Sequence, residues 1–294
     1  MSIAVTTVIL FVVFGVLLFL GVPISVSIIA SSIVTAMSTL SWDQITFITM
    51  QKMNSGVESF SLLAVPLFIL AGNIMNNGGI AKRLINFAQI FVGKIPGNLA
   101  QANILANMLF GALSGSSVAA ASAIGGCMSP IEKEQKYDEG FAAAVNIATA
   151  PVGQLIPPTT AFIVFSAAGG GASVAALFMG GWIPGLLWAA CCMVVAFFYA
   201  RKQGYVIKRD KLTAKIVGKT IWDAIPSLFL VVIIIGGILS GKFTPTEASG
   251  VAVAYAFILS VFIYRTIKLS EIPKLLVDAA VMTTIVMLII GASS

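Results

Sequence analysis

The sequence predicts an all-α, polytopic membrane protein built as a bundle of helices that cross or enter a lipid bilayer. Of its 294 residues, 59% are hydrophobic and only 10% are charged, whereas a soluble domain carries about 25% charged residues. The apolar residues form long continuous runs without the alternation of a membrane β-barrel. Small, polar and proline residues interrupt two of these runs, so we expect broken helices and a re-entrant hairpin.

Residues 1–97 are expected to contain N-terminal scaffold helices and an amphipathic arm. Their apolar runs predict membrane helices over 3–20, 24–40 and 59–75. Within 80–92, Lys82 and Arg83 share one side of a helix, and apolar residues recur at helical spacing on the other side. This pattern is typical of an amphipathic helix that lies in the membrane interface or braces a domain.

Residues 98–172 contain both breaks and are expected to form half of a transport domain. The letters LSGSS at 113–117 divide an apolar run into pieces shorter than the roughly 20 residues that cross a bilayer. Two half-length helices that meet at this tip would form a re-entrant hairpin; the alternative is one long helix with a serine-rich kink. Six charged residues lie within 128–140, which predicts a water-exposed loop.

A crossing helix is expected next, and it too is broken. Apolar half-helices over 141–150 and 159–168 flank an unwound stretch at 151–158, which contains Pro151, Pro157 and Pro158. Proline lacks a backbone N–H group and disfavours a helical conformation in the preceding residue. Two broken segments that are neighbours in a membrane protein indicate a binding site in a transporter.

Residues 173–274 are predicted to contain further scaffold helices, a basic loop over 201–222 and a second amphipathic arm over 265–274. The apolar runs predict spans over 173–199, with a break at 182–185, and over 225–239 and 251–264. Seven of the 17 basic residues lie between Arg201 and Lys219. Because this run joins two apolar helices, the positive-inside rule makes it a cytoplasmic loop rather than a nucleic-acid site.

The last residues, 275–294, resemble the earlier hairpin. An amphipathic basic stretch leads into an apolar half-helix and then into GASS at 291–294, as 82–110 leads into the small residues of 111–117. We therefore expect the start of a second hairpin, truncated at its tip, so that an inverted repeat is only partly present.

Several chemistries are disfavoured by composition. The chain has no histidine and its three cysteines lack metal-ligand spacing, which argues against a Ser-His dyad, a zinc site or a histidine relay. GGILSGK at 236–242 matches part of a phosphate-binding loop, but Phe243 stands where Ser or Thr should bind magnesium. An intramembrane protease using Ser117 would need a lysine partner, and no lysine lies within a predicted span. We expect no catalytic residues.

The two breaks predict a cation site. Serine hydroxyls at 114, 116 and 117, together with backbone carbonyls at 153, 156 and 158, offer the oxygen ligands that a hard cation such as sodium requires. The positive end of the following half-helix would favour an anionic substrate. The alternative is that the small residues only allow close helix packing, and that Asn146, Thr159 and Thr160 only satisfy backbone groups.

Several phrases in the chain resemble one known family. They are GVPISVSI at 21–28, FSLLAVPLFILAGNIMNNGGIAKRL at 60–84, ALSGSSVAAASAIG at 112–125, APVGQLIPP at 150–158 and GKFTPTEASGVAVAYA at 241–256. Together, in this order, they resemble the large membrane subunit of TRAP transporters, the tripartite ATP-independent periplasmic type.

The resemblance implies a fold of the ion-transporter superfamily and an elevator mechanism. It also implies sodium-driven import of an organic acid, such as a C4-dicarboxylate or a sugar acid, across the bacterial inner membrane. The implied partners are a small four-helix membrane subunit and a periplasmic substrate-binding protein, and sodium is the coupling ion with no further cofactor or metal. The alternatives are a symporter of the same superfamily that needs no binding protein, an assembly subunit, or a non-functional fragment.

The resemblance also implies roles for individual residues. The sodium ligands would be Ser114, Ser116, Ser117, Gly153, Ile156 and Pro158. The substrate would contact Ser116, Thr159, Thr160 and Asn146. Members of the family have two inverted halves, so the second sodium site and much of the substrate site are expected to be missing from this sequence.

Overall fold

A computed structural model describes residues 2–93, 95–168, 171–205 and 214–294. In these residues every regular element is a helix, which confirms the prediction of a polytopic helix bundle. Five of the described helices are long and apolar enough to cross a membrane. A sixth crossing would be the pair Glu139–Leu155 and Thr160–Ala168, whose two parts are bent by 53°. The broken crossing helix is therefore present.

The chain divides into two compact units, Met1–Leu62 with Ala280–Ser294, and Leu63–Ala279. The helices of the first unit are α1 (Ile3–Phe19), α2 (Ile24–Ala36) and α3 (Trp42–Val57). Helix α2 buries small hydroxyl residues, and Thr35 Oγ1 donates a hydrogen bond to the carbonyl of Ser31 at 2.7 Å. Small residues inside and apolar residues outside are typical of helices packed in lipid.

The second unit contains the remaining helices. They are α4 (Ala64–Asn77), α5 (Ile80–Val92), α6 (Asn98–Ser114), α7 (Ser117–Glu134), α8 (Glu139–Thr149), α9 (Val152–Leu155), α10 (Thr160–Ala168), α11 (Val174–Gln203), α12 (Ala214–Leu239) and α13 (Pro245–Phe257). Helix α13 continues into a π-helical turn, Ile258–Ile263. A 3₁₀ turn, Leu269–Glu271, leads into α14 (Ile272–Ser293), which belongs to the second unit up to Ala279 and to the first unit from Ala280 onward.

Helix α6 is the core of the second unit. It is buried along most of its length and packs against α4, α5, α7, α8, α9 and α11. Gly97 and Gly115 flank it with φ angles of +71° and +63°, a conformation that glycine adopts without steric cost. Helix α5, the predicted amphipathic arm, lies against α6 with its apolar face buried.

The water-exposed loop predicted at 128–140 is wrong. Helix α7 continues through Pro130 to Glu134, and only residues 135–138 join it to α8. Met128 and Glu132, one helical turn apart, are both buried, with exposed fractions of 0% and 4%. Because this face is packed, α7 continues beyond Pro130, a residue type that normally ends or kinks a helix.

The break predicted at 182–185 is also wrong, because α11 runs without interruption through Pro184. A Cβ added at Gly181 would overlap the carbonyl of Leu155, and one added at Gly185 would lie 2.6 Å from the side chain of Ile156. These glycines therefore allow α11 to approach the broken crossing helix rather than marking a break of their own.

Two further predicted segments have a mixed outcome. Residues 265–274, expected as a second arm, comprise the 3₁₀ turn and the first residues of α14, and Leu269–Ser293 forms one continuous apolar stretch. The predicted basic loop 201–222 is wrong at both ends, because 201–203 are the last residues of α11 and 214–222 the first residues of α12. Residues 206–213 of that loop lie outside the described residues. The division of the chain into scaffold and transport parts stays a prediction.

Hydrogen bonds surround the proline inside α12. Pro226 has no N–H group to complete the helix ladder. The hydroxyl of Tyr264 donates to the carbonyl of Asp223 at 3.1 Å and lies 3.0 Å from Ser227 Oγ. Tyr255 Oη donates to the carbonyl of Pro226 at 2.9 Å. These hydrogen bonds join α12, near Pro226, to α13 through Tyr255 and to the end of the π-helical turn through Tyr264.

We expect the substitution Tyr264→Phe to lower the free energy of unfolding by about 0.5–1.5 kcal/mol, the value of one intramolecular hydrogen bond. The variant keeps the aromatic ring at position 264, whose centroid lies 3.6 Å from the Arg83 guanidinium carbon. Thermal unfolding of the purified chain in lipid nanodiscs measures the change. Tyr199→Phe is the control, because the Tyr199 hydroxyl makes no hydrogen bond with the described residues while its ring stacks on Phe141. Equal losses in both variants would contradict the prediction.

Candidate functional site

The tip between α6 and α7 consists of Gly115 and Ser116. Ser114, the last residue of α6, is 3% exposed, and its Oγ donates to the carbonyl of Ser116 at 3.4 Å. Ser116 caps α7, since its Oγ accepts a hydrogen bond from the N–H of Ala119 at 3.3 Å. Ser117 is half-buried in the first turn of α7. Three hydroxyl groups are thus concentrated within four residues of chain.

The break of the crossing helix lies between α8 and α10. Helix α8 ends at Thr149, the short α9 ends at Leu155, and α10 begins at Thr160. Pro157 and Pro158 have no N–H group, so the intervening backbone offers carbonyl oxygens with few donors. Ile156 and Thr159 are buried, with exposed fractions of 3% and 1%.

The tip and the break lie directly against each other. Gly111 in α6 and Gly153 in α9 approach so closely that a Cβ added to either would overlap the backbone of the other. Thr160 Oγ1 donates to the carbonyl of Gly115 at 3.2 Å, which joins the start of α10 to the tip. The structure therefore brings Ser114, Ser116 and Ser117 to the same place as 153–160.

Asn146 lies elsewhere, in α8. Its Nδ2 donates to the carbonyl of Ala121 at 2.9 Å and its Oδ1 accepts from Asn107 Nδ2 at 3.0 Å. Thr159 Oγ1 accepts from the N–H of Ala161 at 3.2 Å, so this hydroxyl serves the start of α10. The structure thus separates Asn146 from the tip and leaves Thr160 as the threonine bonded to it.

A buried polar cluster around Asn146 was not predicted. Its other members are Asn103, Asn107, Glu132 and Thr149, from α6, α7 and α8, and each is at most 4% exposed. Asn103 and Asn107 are one helical turn apart in a mostly apolar helix, and this spacing is a signal that could have identified them. Glu132 was assigned to a solvated loop, so its burial could not be foreseen.

Burial changes the acidity of two groups at the base of the hairpin. Desolvation raises the pKa of the Glu132 carboxyl, and the hydrogen bond from Asn103 partly opposes this rise. Desolvation also raises the pKa of Tyr137 to about 12, and its hydroxyl donates to Asn98 Oδ1 at 3.4 Å. A cavity of about 340 Å³ opens beside these groups and is lined by Gly125, Ser129, Glu132, Tyr137 and Asn146, among others.

We expect Gly111→Ala and Gly153→Ala each to destabilise the protein by about 1–3 kcal/mol, the cost of overpacking a close contact. The added methyl group would force α6 away from α9 and open the tip. Gly126→Ala is the matched control, because Gly126 is exposed within α7 and a Cβ there meets no atom within 4 Å. That control should be neutral or stabilising by about 0.4–1 kcal/mol. Thermal unfolding measures the stability of the three variants. An unchanged stability of Gly153→Ala would contradict the close contact.

Comparison with known proteins identifies the family. The family described as "Tripartite ATP-independent periplasmic transporter, DctM component" matches residues 11–294. The chain is 48% identical over 286 residues to the uncharacterized protein YgiK of Salmonella typhimurium. It is 38% identical over 274 residues to the sialic acid TRAP transporter large permease protein SiaM of Vibrio cholerae. It is 36% identical over 295 residues to the C4-dicarboxylate TRAP transporter large permease protein DctM of Rhodobacter capsulatus.

These alignments cover 97%, 93% and 95% of this chain. They cover 65%, 63% and 66% of the relatives, so the chain spans less than two thirds of the length of each relative. The resemblance drawn from the sequence phrases is confirmed. The chain belongs to the DctM component family of tripartite ATP-independent periplasmic transporters, a family of transporter permeases rather than enzymes.

Proposed function

We propose that the chain is the large permease subunit of a sodium-coupled secondary transporter that imports an organic acid by an elevator motion. The substrate class is a C4-dicarboxylate or a sugar acid, in line with the relatives named for C4-dicarboxylates and sialic acid. A periplasmic binding protein delivers the substrate, a small four-helix subunit accompanies the permease, and the complex resides in the bacterial inner membrane. Family membership is the support for each of these assignments.

Sodium binding is assigned to the interface of the tip and the break. The ligands are the hydroxyl oxygens of Ser114, Ser116 and Ser117 and the carbonyl oxygens of Gly153, Ile156 and Pro158. The observation that carries the assignment is the direct contact of the two interrupted segments, made by Gly111 against Gly153 and by Thr160 on the Gly115 carbonyl. Interrupted backbone at membrane depth needs polar partners, and hard cations prefer oxygen ligands.

Substrate binding is assigned to the ends of two helices at the same interface. Helix α7 begins after the Ser116 cap and α10 begins at Thr160. The N-terminus of a helix favours a carboxylate, because its free N–H groups and its dipole are positive. Ser116, Thr159 and Thr160 are the proposed contacts. Asn146 is bonded to Ala121 and Asn107 rather than at these helix ends, and its role as a substrate contact stays a prediction.

We expect Ser114→Ala and Ser116→Ala to weaken sodium binding by at least about 10-fold, comparable to the loss of a supporting ligand in other metal sites. Equilibrium binding of radioactive sodium to the purified chain measures this. Ser173→Ala is a matched control for Ser116→Ala, since Ser173 caps α11 by accepting from Ala176 N–H at 3.4 Å. Unchanged sodium affinity in both tip variants would remove the site from this interface.

The tripartite assignment has a separate test. When the chain is affinity-purified from native membranes in a mild detergent, we expect a small helical membrane protein to co-purify in equal amounts. Close packing between membrane helices favours such a complex. A tagged, unrelated inner-membrane protein serves as the control. Recovery of the chain without a small partner would contradict the tripartite assignment and favour a symporter that needs no binding protein.

A further inference from the structure

The buried cluster between α6, α7 and α8 has an excess of oxygen atoms around one nitrogen. Asn107 is fully buried, and its Nδ2 lies 2.7 Å from Asn103 Oδ1, 3.0 Å from Asn146 Oδ1 and 3.1 Å from Thr149 Oγ1. The carbonyl oxygen of Asn146 is a fourth neighbour at 3.4 Å. An amide nitrogen carries two hydrogens, so it can serve only two of these four oxygens well.

The carbonyl oxygen of Asn146 also accepts from the N–H of Ala150 at 3.0 Å. The three side-chain oxygens have no other donor among the described residues, because the donors of their own residues are used elsewhere. Asn146 Nδ2 donates to Ala121, the Thr149 hydroxyl donates to the carbonyl of Val145 at 2.7 Å, and Asn103 Nδ2 donates to Glu132 Oε1 at 3.3 Å. Asn107 Oδ1, meanwhile, is buried and has no hydrogen-bond partner among the described residues. A buried polar atom without a partner costs about 1–3 kcal/mol, so this arrangement needs an explanation.

The charge of the cluster is also unbalanced. Glu132 is 4% exposed and its carboxylate is one hydrogen bond away from the four oxygens, through Asn103. The one ion pair in the described part of the chain joins Lys133 to Glu139 at 3.0 Å, on the exposed side of the cavity. No lysine or arginine there is paired with Glu132. A buried carboxylate without a positive partner is costly.

We propose that this cluster binds a monovalent cation beside the Asn107 amide group, with Asn103, Asn107, Asn146 and Thr149 as oxygen ligands and Glu132 as the balancing charge. Rotation of the Asn107 side-chain amide would exchange the positions of its nitrogen and its oxygen. The surrounding hydrogen-bond network determines which of the two orientations is favoured. The unpartnered oxygen then becomes a ligand, and the convergent oxygens gain a cation. A single carboxylate among neutral ligands suits a monovalent ion better than calcium, whose sites use several carboxylates.

The cavity of about 340 Å³ provides access, since Glu132 and Asn146 line it at the base of the hairpin. None of the five residues of this site belongs to the sodium site proposed at the tip. The inference therefore stands independently of the tip site, and the two can be separated experimentally by variants at one site alone.

Melting temperatures of the purified chain in lipid nanodiscs test the proposal, in LiCl, NaCl or KCl against choline chloride at equal ionic strength. The background variant is Ser114→Ala, which removes a ligand from the tip site. In this background we expect one of the three alkali cations to raise the melting temperature in a saturable way. Glu132→Gln should weaken the apparent affinity about 10- to 100-fold, and Asn107→Leu should leave at most the weaker response of the altered tip site. Ser173→Ala should leave the response intact.

Asn107→Asp keeps the oxygen ligands and adds a negative charge, so it should enlarge the cation-induced rise in melting temperature. This variant covers the case in which Asn107→Leu does not fold. A response that is equal in wild type, Glu132→Gln and Asn107→Asp would overturn the proposal. So would a melting temperature that changes with pH through Glu132 and is independent of every cation, because the carboxyl would then bind a proton instead. Failure of the tip site alone would appear as unchanged sodium affinity in Ser114→Ala and would leave these outcomes unaffected.

Discussion

The need to pair backbone polar groups in an apolar environment governs the second unit of this protein. A helix interrupted at membrane depth exposes N–H and carbonyl groups that lipid cannot satisfy. The close approach of Gly111 and Gly153 answers this need, because it brings one interrupted segment against another. The hydrogen bond from Thr160 to the Gly115 carbonyl has the same effect. Larger side chains at these glycines would separate α6 from α9 and leave both breaks without partners.

The same hairpin carries both proposed cation sites. The tip lies at the C-terminal end of α6, and Asn107 and Asn103 lie about two and three turns before it in the same helix. Because α7 continues through Pro130, it returns from the tip to Glu132 without a flexible joint. A cation at either site would therefore contact the same pair of packed helices.

Small residues determine how the helices around this hairpin approach it. Gly181 and Gly185 bring α11 against the broken crossing helix, and Gly72 brings α4 so close that an added Cβ would lie 2.9 Å from the Ser114 carbonyl. Elsewhere along α11, large apolar residues such as Ile183 and Val195 are 77% and 68% exposed. Van der Waals packing between small surfaces, with apolar groups left for lipid, is the usual basis of helix association in membranes.

The sequence by itself determined the helical membrane class, the family, the amphipathic α5 and the two breaks, since composition, periodicity and proline position act locally. Tertiary structure alone decided that α7 and α11 continue through Pro130 and Pro184, because packing against neighbours outweighs the local cost of a proline. It also decided that Glu132 is buried and that Asn103, Asn107 and Asn146 meet. Those contacts join α6, α7 and α8 over 25 to 42 residues of chain, a separation at which no local pattern specifies which side chains converge.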